Sequence, residues 1–218
     1  MLLVLMITPF TPAIDLAIEN FFYHGHGLFL QNEFFSFIYS YAIVPAQLTV
    51  AIALFCFAGS YYFPALRKYR AIASVLVFTL AIGSGLIIHL VLKDHWGRPR
   101  PRQVVEFGGV QNFRPYYSPD FNTQKEPSKS FSCGHCTMGF YFFSFIALGL
   151  YLHNTWFLWS GIILSATLGS LLSLTRMSQG AHFFSDVMIS ALIMWLTALY
   201  VTNLSFRLFG TSSPKKSQ

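Results

Sequence analysis

The stretch from Ala71 to Pro101 reads AIASVLVFTLAIGSGLIIHLVLKDHWGRPRP, and it joins a long apolar run directly to a cluster of polar residues. The apolar part, residues 71–92, is long enough to cross the ~30 Å hydrocarbon core of a bilayer as a helix that rises ~1.5 Å per residue. Basic residues, a glycine and prolines follow without a spacer. This pattern predicts a membrane span that delivers a polar loop to one membrane surface.

The composition of the chain also indicates a membrane protein. Of its 218 residues, 54% are hydrophobic and only 10% are charged, whereas soluble domains carry about 25% charged residues. The net charge is +6, but the basic residues form clusters between apolar runs and no soluble basic face. We therefore expect the bilayer as partner and no nucleic acid.

Further apolar runs predict an all-α bundle of six membrane helices in one domain, residues 1–218. The predicted spans are about 1–22, 34–62, 71–92, 134–152, 156–174 and 183–206. Pro9 and Pro12 make the first of these the least regular, and Pro45 predicts a kink in the second. Asp15 and Glu19, one turn apart in the first helix, are expected to face lipid headgroups.

Basic residues outside the polar motifs predict the orientation of the bundle. They follow the second span and close the chain, at Arg67, Lys68, Arg70, Arg207, Lys215 and Lys216. Because cytoplasmic loops are enriched in Lys and Arg, these ends are predicted to be cytoplasmic. The long loop at 93–132 is then extracytoplasmic.

Two of the polar blocks carry residues suited to phosphate. Lys93 and Arg100, seven residues apart, supply positive charge that matches phosphate oxygens, although such residues can also simply bind lipid headgroups. In the block Ser130-Phe-Ser-Cys-Gly-His135, Gly134 is predicted to begin a helix, where free backbone N–H groups bind anions. His135 beside it is a candidate general acid.

The third block runs from Thr175 to Asp186. His182 and Asp186 are spaced i, i+4, so a helix would place them on one face. The carboxylate could then accept from one imidazole nitrogen and leave the other nucleophilic. Arg176 precedes His182 by six residues, across a Ser-Gln-Gly turn. A purely structural His–Asp pair is the alternative, but ionisable residues beside membrane spans usually have a function.

Together the blocks resemble the Lys-x6-Arg-Pro, Pro-Ser-Gly-His and Ser-Arg-x5-His-x3-Asp signature of the type 2 phosphatidic acid phosphatase superfamily. The matching positions are Lys93, Arg100, Pro101, Gly134, His135, Arg176, His182 and Asp186. The run around Arg98 to Gly109 and the Phe131-x-x-Gly-His core look most like bacterial membrane lipid phosphatases, including lipid A phosphatases.

This resemblance implies a six-helix bundle in the bacterial inner membrane, with an extracytoplasmic site and a lipid phosphate as substrate. It implies no metal and no other cofactor. It also implies a phosphohistidine on His182, oriented by Asp186, and His135 as acid and base. The phosphate would be held by Lys93, Arg100, Arg176, Cys133 and Gly134.

Two positions depart from the signature. Its Pro-Ser is Ser132-Cys133 here, and Thr175 replaces the serine before Arg176. A cysteine is a weaker hydrogen-bond donor than a serine, so reduced activity is a possible consequence. Cys133-Gly-His-Cys136 also matches a dithiol redox motif, but the βαβ context of that motif is missing. A disulfide between Cys133 and Cys136 stays open.

Several alternatives also stay open at this level. The same site could transfer phosphate between lipids, or a lipid-binding or transport protein could use it without turnover. Lipid A, undecaprenyl diphosphate and phosphatidylglycerophosphate would all present phosphate at the same depth. His24 and His26 have no third ligand nearby in sequence, so we expect a solvated loop and no metal pair. The oligomeric state is not predicted.

Overall fold

The described part of the protein is helical. A computed structural model describes residues 6–121 and 128–210, and within these ranges the extended pairings are isolated bridges only. The predicted all-α fold class is confirmed. The helices are α1 Thr11–Phe22, α2 Glu33–Tyr41, α3 Val44–Gly59, α4 Arg70–Phe78, α5 Gly134–Phe140, α6 Phe143–Leu152, α7 Thr155–Ser178 and α8 Phe184–Phe209, with a π-helical segment, Thr79–Lys93, that continues α4.

Five helical stretches of the described residues are long and apolar enough to cross a membrane. They are Glu33–Gly59, Pro64–Lys93, Gly134–Leu152, Thr155–Ser178 and Phe184–Phe209. Helix α1 has 12 residues and is therefore ~18 Å long, too short to cross a ~30 Å core by itself. Residues 1–5 of the predicted first span lie outside the described part.

The kink predicted around Pro45 is present as a break between α2 and α3. Helix α2 ends at Tyr41 and α3 begins at Val44, which places Pro45 in the first turn of α3. In that turn the missing N–H of proline leaves no hydrogen bond unmade. Pro45 thus lies in the first turn of a new helix, after a short break at Ala42 and Ile43.

The expectation that Asp15 and Glu19 face lipid headgroups is wrong, because both side chains are fully buried. Helix α1 packs against α7 and α8 and turns its acidic face inward. Asp15 accepts hydrogen bonds from the backbone N and Oγ of Ser185 at 2.8 and 2.6 Å. A buried carboxylate with such partners avoids the cost of an unpaired charge.

Close helix packing brings the motif-bearing ends of the bundle together. Gly139 of α5 lies against the backbone of Gly169 of α7, with no room for a Cβ at the crossing, as small residues allow in membrane helices. An apolar cluster packs Phe107, from the loop that follows Lys93, together with Phe29 and Phe183. The loop is thereby packed onto the end of the bundle where all three polar blocks lie.

The described part of this loop is ordered by its aromatic residues. Trp96 stacks on Phe131 with ring centroids 4.8 Å apart, and its indole N–H donates to the carbonyl oxygen of Tyr116 at 2.7 Å. The backbone N of Ser130 donates to the carbonyl oxygen of Arg98 at 3.0 Å. These contacts join the first polar block to the second.

Candidate active site

His182 lies immediately before helix α8, with Phe183 as the N-cap residue, so His182 and Asp186 do not share a helical face. The Nδ1 atom of His182 is 2.6 Å from the carbonyl oxygen of Ser130 and 3.8 Å from Asp186 Oδ2, which is beyond hydrogen-bond distance. The expected direct hydrogen bond to the carboxylate is therefore absent. Since a carbonyl oxygen only accepts, Nδ1 carries the proton and Nε2 keeps its lone pair.

Asp186 is connected to His182 through Ser130. Its carboxylate accepts from Ser130 Oγ at 2.6 Å and from the backbone N of Phe183 at 2.9 Å. The first contact holds Ser130, whose carbonyl oxygen accepts from the His182 imidazole. The second contact holds Phe183, the residue that follows His182 in the chain. Asp186 thus sets the position of the imidazole from two sides.

Arg98 occupies the centre of a buried charge network. Its side chain is fully buried, and its guanidinium donates to four acceptors, namely Asp15 Oδ2 at 2.8 Å, Asp186 Oδ1 at 2.5 Å, Ser185 Oγ at 2.8 Å and the carbonyl oxygen of Arg114 at 2.9 Å. In the sequence, Arg98 lies only two residues before the phosphate-binding candidate Arg100. No sequence signal connects it with Asp15, which lies 83 positions earlier.

Burial determines the protonation state of His182. Loss of solvent lowers the pKa of His182 from 6.5 to about 4; Asp186 opposes this shift, and the positive charges of Arg176 and Arg100 add to it. At neutral pH the imidazole is therefore uncharged. An uncharged imidazole with a free Nε2 is the form that a nucleophilic reaction needs.

Lys93, Arg100 and Arg176 form a cationic cradle beside His182. Lys93 lies within electrostatic range of Arg100 and Arg176, and both arginines lie within range of His182. Gly180, with φ +58°, permits the turn in which Ala181 N donates to the carbonyl oxygen of Arg176 at 3.0 Å. This turn brings Arg176 close to His182 at the end of the bundle, as the motif spacing had suggested.

Three buried donor groups in the polar blocks lack a hydrogen-bond partner among residues 6–121 and 128–210. They are Arg100 Nε, Arg176 Nε and Ser132 Oγ. Most buried polar atoms in proteins are hydrogen-bonded, and exceptions indicate a function or a bound species. Arg100 and Arg176 are within electrostatic range of each other, and arginine side chains suit the oxygens of a tetrahedral oxyanion.

His135 lies close to the cradle, and its ring stacks on an aromatic side chain. Its ring is parallel to that of Tyr39, with centroids 4.3 Å apart, and the Arg176 guanidinium lies 5.0 Å from the centre of the Tyr39 ring. His135 is within electrostatic range of His182, Lys93 and Arg176. Tyr39 was missed in the sequence because it lies in an aromatic run that reads as membrane helix.

Gly134 begins helix α5, as predicted, and Cys133 is its N-cap residue. Cys133 and Cys136 form a disulfide, and Cys133 Sγ accepts from the backbone N of Cys136 at 3.3 Å. A disulfide sulfur has no S–H, so the weak thiol donor expected at Cys133 is not present. The disulfide instead encloses Gly134 and His135 in a small ring.

These features together define a multi-pass membrane protein with a neutral histidine inside a cationic cradle at one end of an all-α bundle. Within the described residues, no group of three or more His, Cys, Asp or Glu side chains could hold a metal ion.

Comparisons with known proteins agree with this class. The PAP2 superfamily model matches residues 73–209. A lipid A 4'-phosphatase of Francisella tularensis subsp. novicida (strain U112) is 32% identical over 200 residues, which cover 90% of this chain and 88% of that protein. Two further relatives are also named lipid A 4'-phosphatase. The Rhizobium leguminosarum protein is 33% identical over 58% of this chain and 50% of its own length, and the Rhizobium etli protein is 30% identical over 56% and 44%.

No solved structure matches the chain significantly. The family match covers more than half of the chain, and the Francisella relative is similar over nearly the full length of both proteins. The chain therefore belongs to the PAP2 superfamily. It is a membrane lipid phosphatase of that superfamily.

Proposed function

We propose that this lipid phosphatase removes a phosphate group from lipid A, or from a closely related sugar lipid, through a phosphohistidine on His182. The observation that carries the proposal is the fixed imidazole, whose Nδ1 is bonded to the carbonyl oxygen of Ser130. Its Nε2 is left free beside the cationic cradle. The names of the three relatives support the choice of substrate.

In the first step, Nε2 of His182 attacks phosphorus, and the bond from phosphorus to the lipid oxygen breaks. A singly protonated phosphate monoester brings in one proton, and His135 passes this proton to the departing oxygen. Lys93, Arg100 and Arg176 stabilise the negative charge on the three equatorial oxygens, and stabilisation of this kind is usually the largest catalytic contribution.

In the second step, water attacks the phosphohistidine. Neutral His135 takes a proton from this water as its oxygen bonds to phosphorus, and the bond from phosphorus to Nε2 breaks. Inorganic phosphate leaves, and His182 returns to its neutral form. The hydrogen bond to Ser130 and the network behind it keep the imidazole in place through both steps.

We place the site at the extracytoplasmic face of a bacterial inner membrane. The stretch Pro64–Lys93 carries Arg67, Lys68 and Arg70 at one end and Lys93 at the other. The positive-inside rule favours a cytoplasmic position for the first end. The cradle at the second end would then meet lipids of the outer leaflet.

The proposal is tested by phosphate release from a lipid panel by the purified full chain in detergent. The panel contains lipid A, undecaprenyl diphosphate, phosphatidylglycerophosphate and phosphatidic acid, each with and without EDTA. We expect release from lipid A that persists in EDTA, complete loss in His182→Asn, and no change in the control His153→Asn, which lies in the turn after α6.

Three results would refute the proposal: no release from lipid A, full activity of the His182→Asn variant, or loss of activity in EDTA. Radiolabelled phosphate recovered on a second lipid would instead indicate transfer between lipids. Binding of lipid A without any release would indicate a non-catalytic protein.

A further inference from the structure

We propose that a pocket beside the phosphate cradle binds the sugar headgroup that carries the scissile phosphate, and that Arg102 binds a second anionic group of this headgroup. The inference rests on the proposed function, whose substrate class it explains. The pocket has a volume of about 480 Å³, which lies within the range of small-molecule sites. Its walls include His24, Leu28, Leu30, Gln31, Arg102 and Gln179.

Gln179 connects this pocket to the cradle. Its side chain lines the pocket, while its Oε1 accepts a hydrogen bond from Arg176 Nη1 at 2.8 Å. A phosphate held by Arg176 therefore lies one side chain away from the pocket. The group directly attached to that phosphate would occupy the pocket.

The floor of the pocket is preorganised. The buried ring of Phe29 packs against Tyr23 and Phe107, with centroids 5.5 and 5.7 Å away. The surrounding loop is closed by hydrogen bonds from His24 N to the carbonyl oxygen of Leu28 at 2.9 Å and from Leu30 N to that of Phe22 at 3.0 Å. A preformed wall lowers the cost of ordering on binding.

The chemistry of the walls suits a sugar. Leu28 and Leu30 offer apolar surface for the C–H face of a pyranose ring, while the amides of Gln31 and Gln179 can bind its hydroxyl and amide groups. Binding sites of this kind combine apolar surface with a few polar groups that fix orientation. A phosphate carried by a bare glycerol backbone would leave most of this space unused.

Arg102 is positioned for a second anion. Its backbone N donates to the carbonyl oxygen of Gly180 at 3.1 Å, which anchors it beside the His182 turn. In the described part of the chain no carboxylate lies within ion-pair distance of its guanidinium. The Arg102 guanidinium lies within electrostatic range of both Arg100 and Arg176. A headgroup with two phosphates, one in the cradle and one at Arg102, fits this distribution of charge.

The test compares bisphosphorylated lipid A with phosphatidic acid, using Arg102→Gln and Gln31→Ala. Inorganic phosphate is measured as a competitive inhibitor in each variant. Lys129→Gln is the control because it also removes a positive charge, from an exposed ion pair with Asp94, and Lys129 does not line the pocket. Loss of one charged hydrogen bond weakens binding about tenfold or more.

We expect Arg102→Gln to lower kcat/KM on lipid A about tenfold or more, and Gln31→Ala to lower it severalfold. The inhibition constant of inorganic phosphate should stay within about twofold in both variants, and the control should change neither quantity. If phosphatidic acid is a substrate, its kcat/KM should be unaffected.

The inference would be overturned if the variants weakened inhibition by inorganic phosphate as strongly as they lowered kcat/KM on lipid A. Arg102 would then act by its electrostatic effect on the cradle and not by contact with the headgroup. Unchanged kcat/KM on lipid A would overturn it as well. So would a wild-type protein that hydrolyses phosphatidic acid but not lipid A. Absence of all phosphatase activity would instead mean that the proposed function itself has failed.

Discussion

The Arg98 guanidinium donates to the Asp186 carboxylate at 2.5 Å, and neither side chain is more than 1% exposed. The same guanidinium holds Asp15 of α1 at 2.8 Å. One buried cation is thus shared between the N-terminal helix and the residue that fixes Ser130. We therefore expect the stability of the bundle and the position of His182 to depend on the same contact.

The first prediction concerns this network. Arg98→Met would leave two carboxylates buried without their cation, and removal of one partner from a buried pair costs about 3–5 kcal/mol of unfolding free energy. Thermal unfolding of the purified protein in detergent measures this loss. We also expect kcat to fall more than KM rises, since the imidazole loses its alignment.

The matched control for this prediction is Arg114→Met. Arg114 pairs with Asp120 where both side chains are partly exposed, and such a pair contributes at most about 1 kcal/mol. Equal effects of the two substitutions would contradict a special role for Arg98.

The second prediction is a low acid limit for catalysis. Because burial places the pKa of His182 at about 4, kcat/KM should lose the His182 contribution only as the pH falls through about 4. In the unfolded chain, His182 takes up its proton near pH 6.5. The free energy of unfolding should therefore be unaffected by this histidine above pH 6.5 and should decrease as the pH falls from 6.5 towards 4. NMR titration of labelled histidine measures this pKa, and the His182→Asn variant assigns the signal. A titration midpoint near pH 6.5 would be inconsistent with a buried His182.

The third prediction concerns the stack of Tyr39 on His135. Tyr39→Leu removes an aromatic contact with His135 and a cation–π contact with Arg176, together about 1 kcal/mol or more. We expect kcat to fall about three- to tenfold. Tyr39→Phe should stay within about twofold, because the ring persists. Tyr41→Leu, at an exposed position of the same helix, is the control, and a Phe variant as impaired as the Leu variant would assign the role to the hydroxyl.

The fourth prediction concerns the disulfide. Replacing Cys133 with Ser and Cys136 with Ala opens a very short covalent ring, for which chain entropy predicts a loss of about 2 kcal/mol. Activity should stay within about threefold, because Ser is the residue of the family signature at position 133. Unfolding temperature and lipid phosphate release provide the two readouts. Cys56→Ser, at the free cysteine, is the control, and an unchanged unfolding temperature in the double variant would show that the ring adds no stability.

The spacing of the polar blocks predicted that Arg100, Arg176 and His182 lie near one another, and the structure places both arginines within electrostatic range of His182. Lys93, Arg100 and Arg176 each end or follow an apolar run, and spans that alternate in direction bring such ends to the same surface. The Gly180 turn between Arg176 and His182 could likewise be read from its sequence. These features are local, so short motifs are enough to predict them.

The network behind His182 could not be predicted in the same way. Which of several arginines is buried depends on tertiary contacts with Asp15 and Asp186, both more than 80 positions from Arg98. The i, i+4 spacing of His182 and Asp186 suggested a direct contact, but α8 begins at Phe184. The His182 imidazole instead donates to the carbonyl oxygen of Ser130. The backbone N of Ser130 in turn donates to the carbonyl oxygen of Arg98.

The most direct test of this account is isolation of the covalent intermediate. Wild-type protein is mixed with lipid A labelled in the scissile phosphate and quenched in alkali within milliseconds, since phosphohistidine survives base and is lost in acid. We predict label on the peptide that contains His182, its release in acid, and no label in His182→Asn. Turnover without any protein-bound label, or label that persists in His182→Asn, would contradict nucleophilic attack by His182.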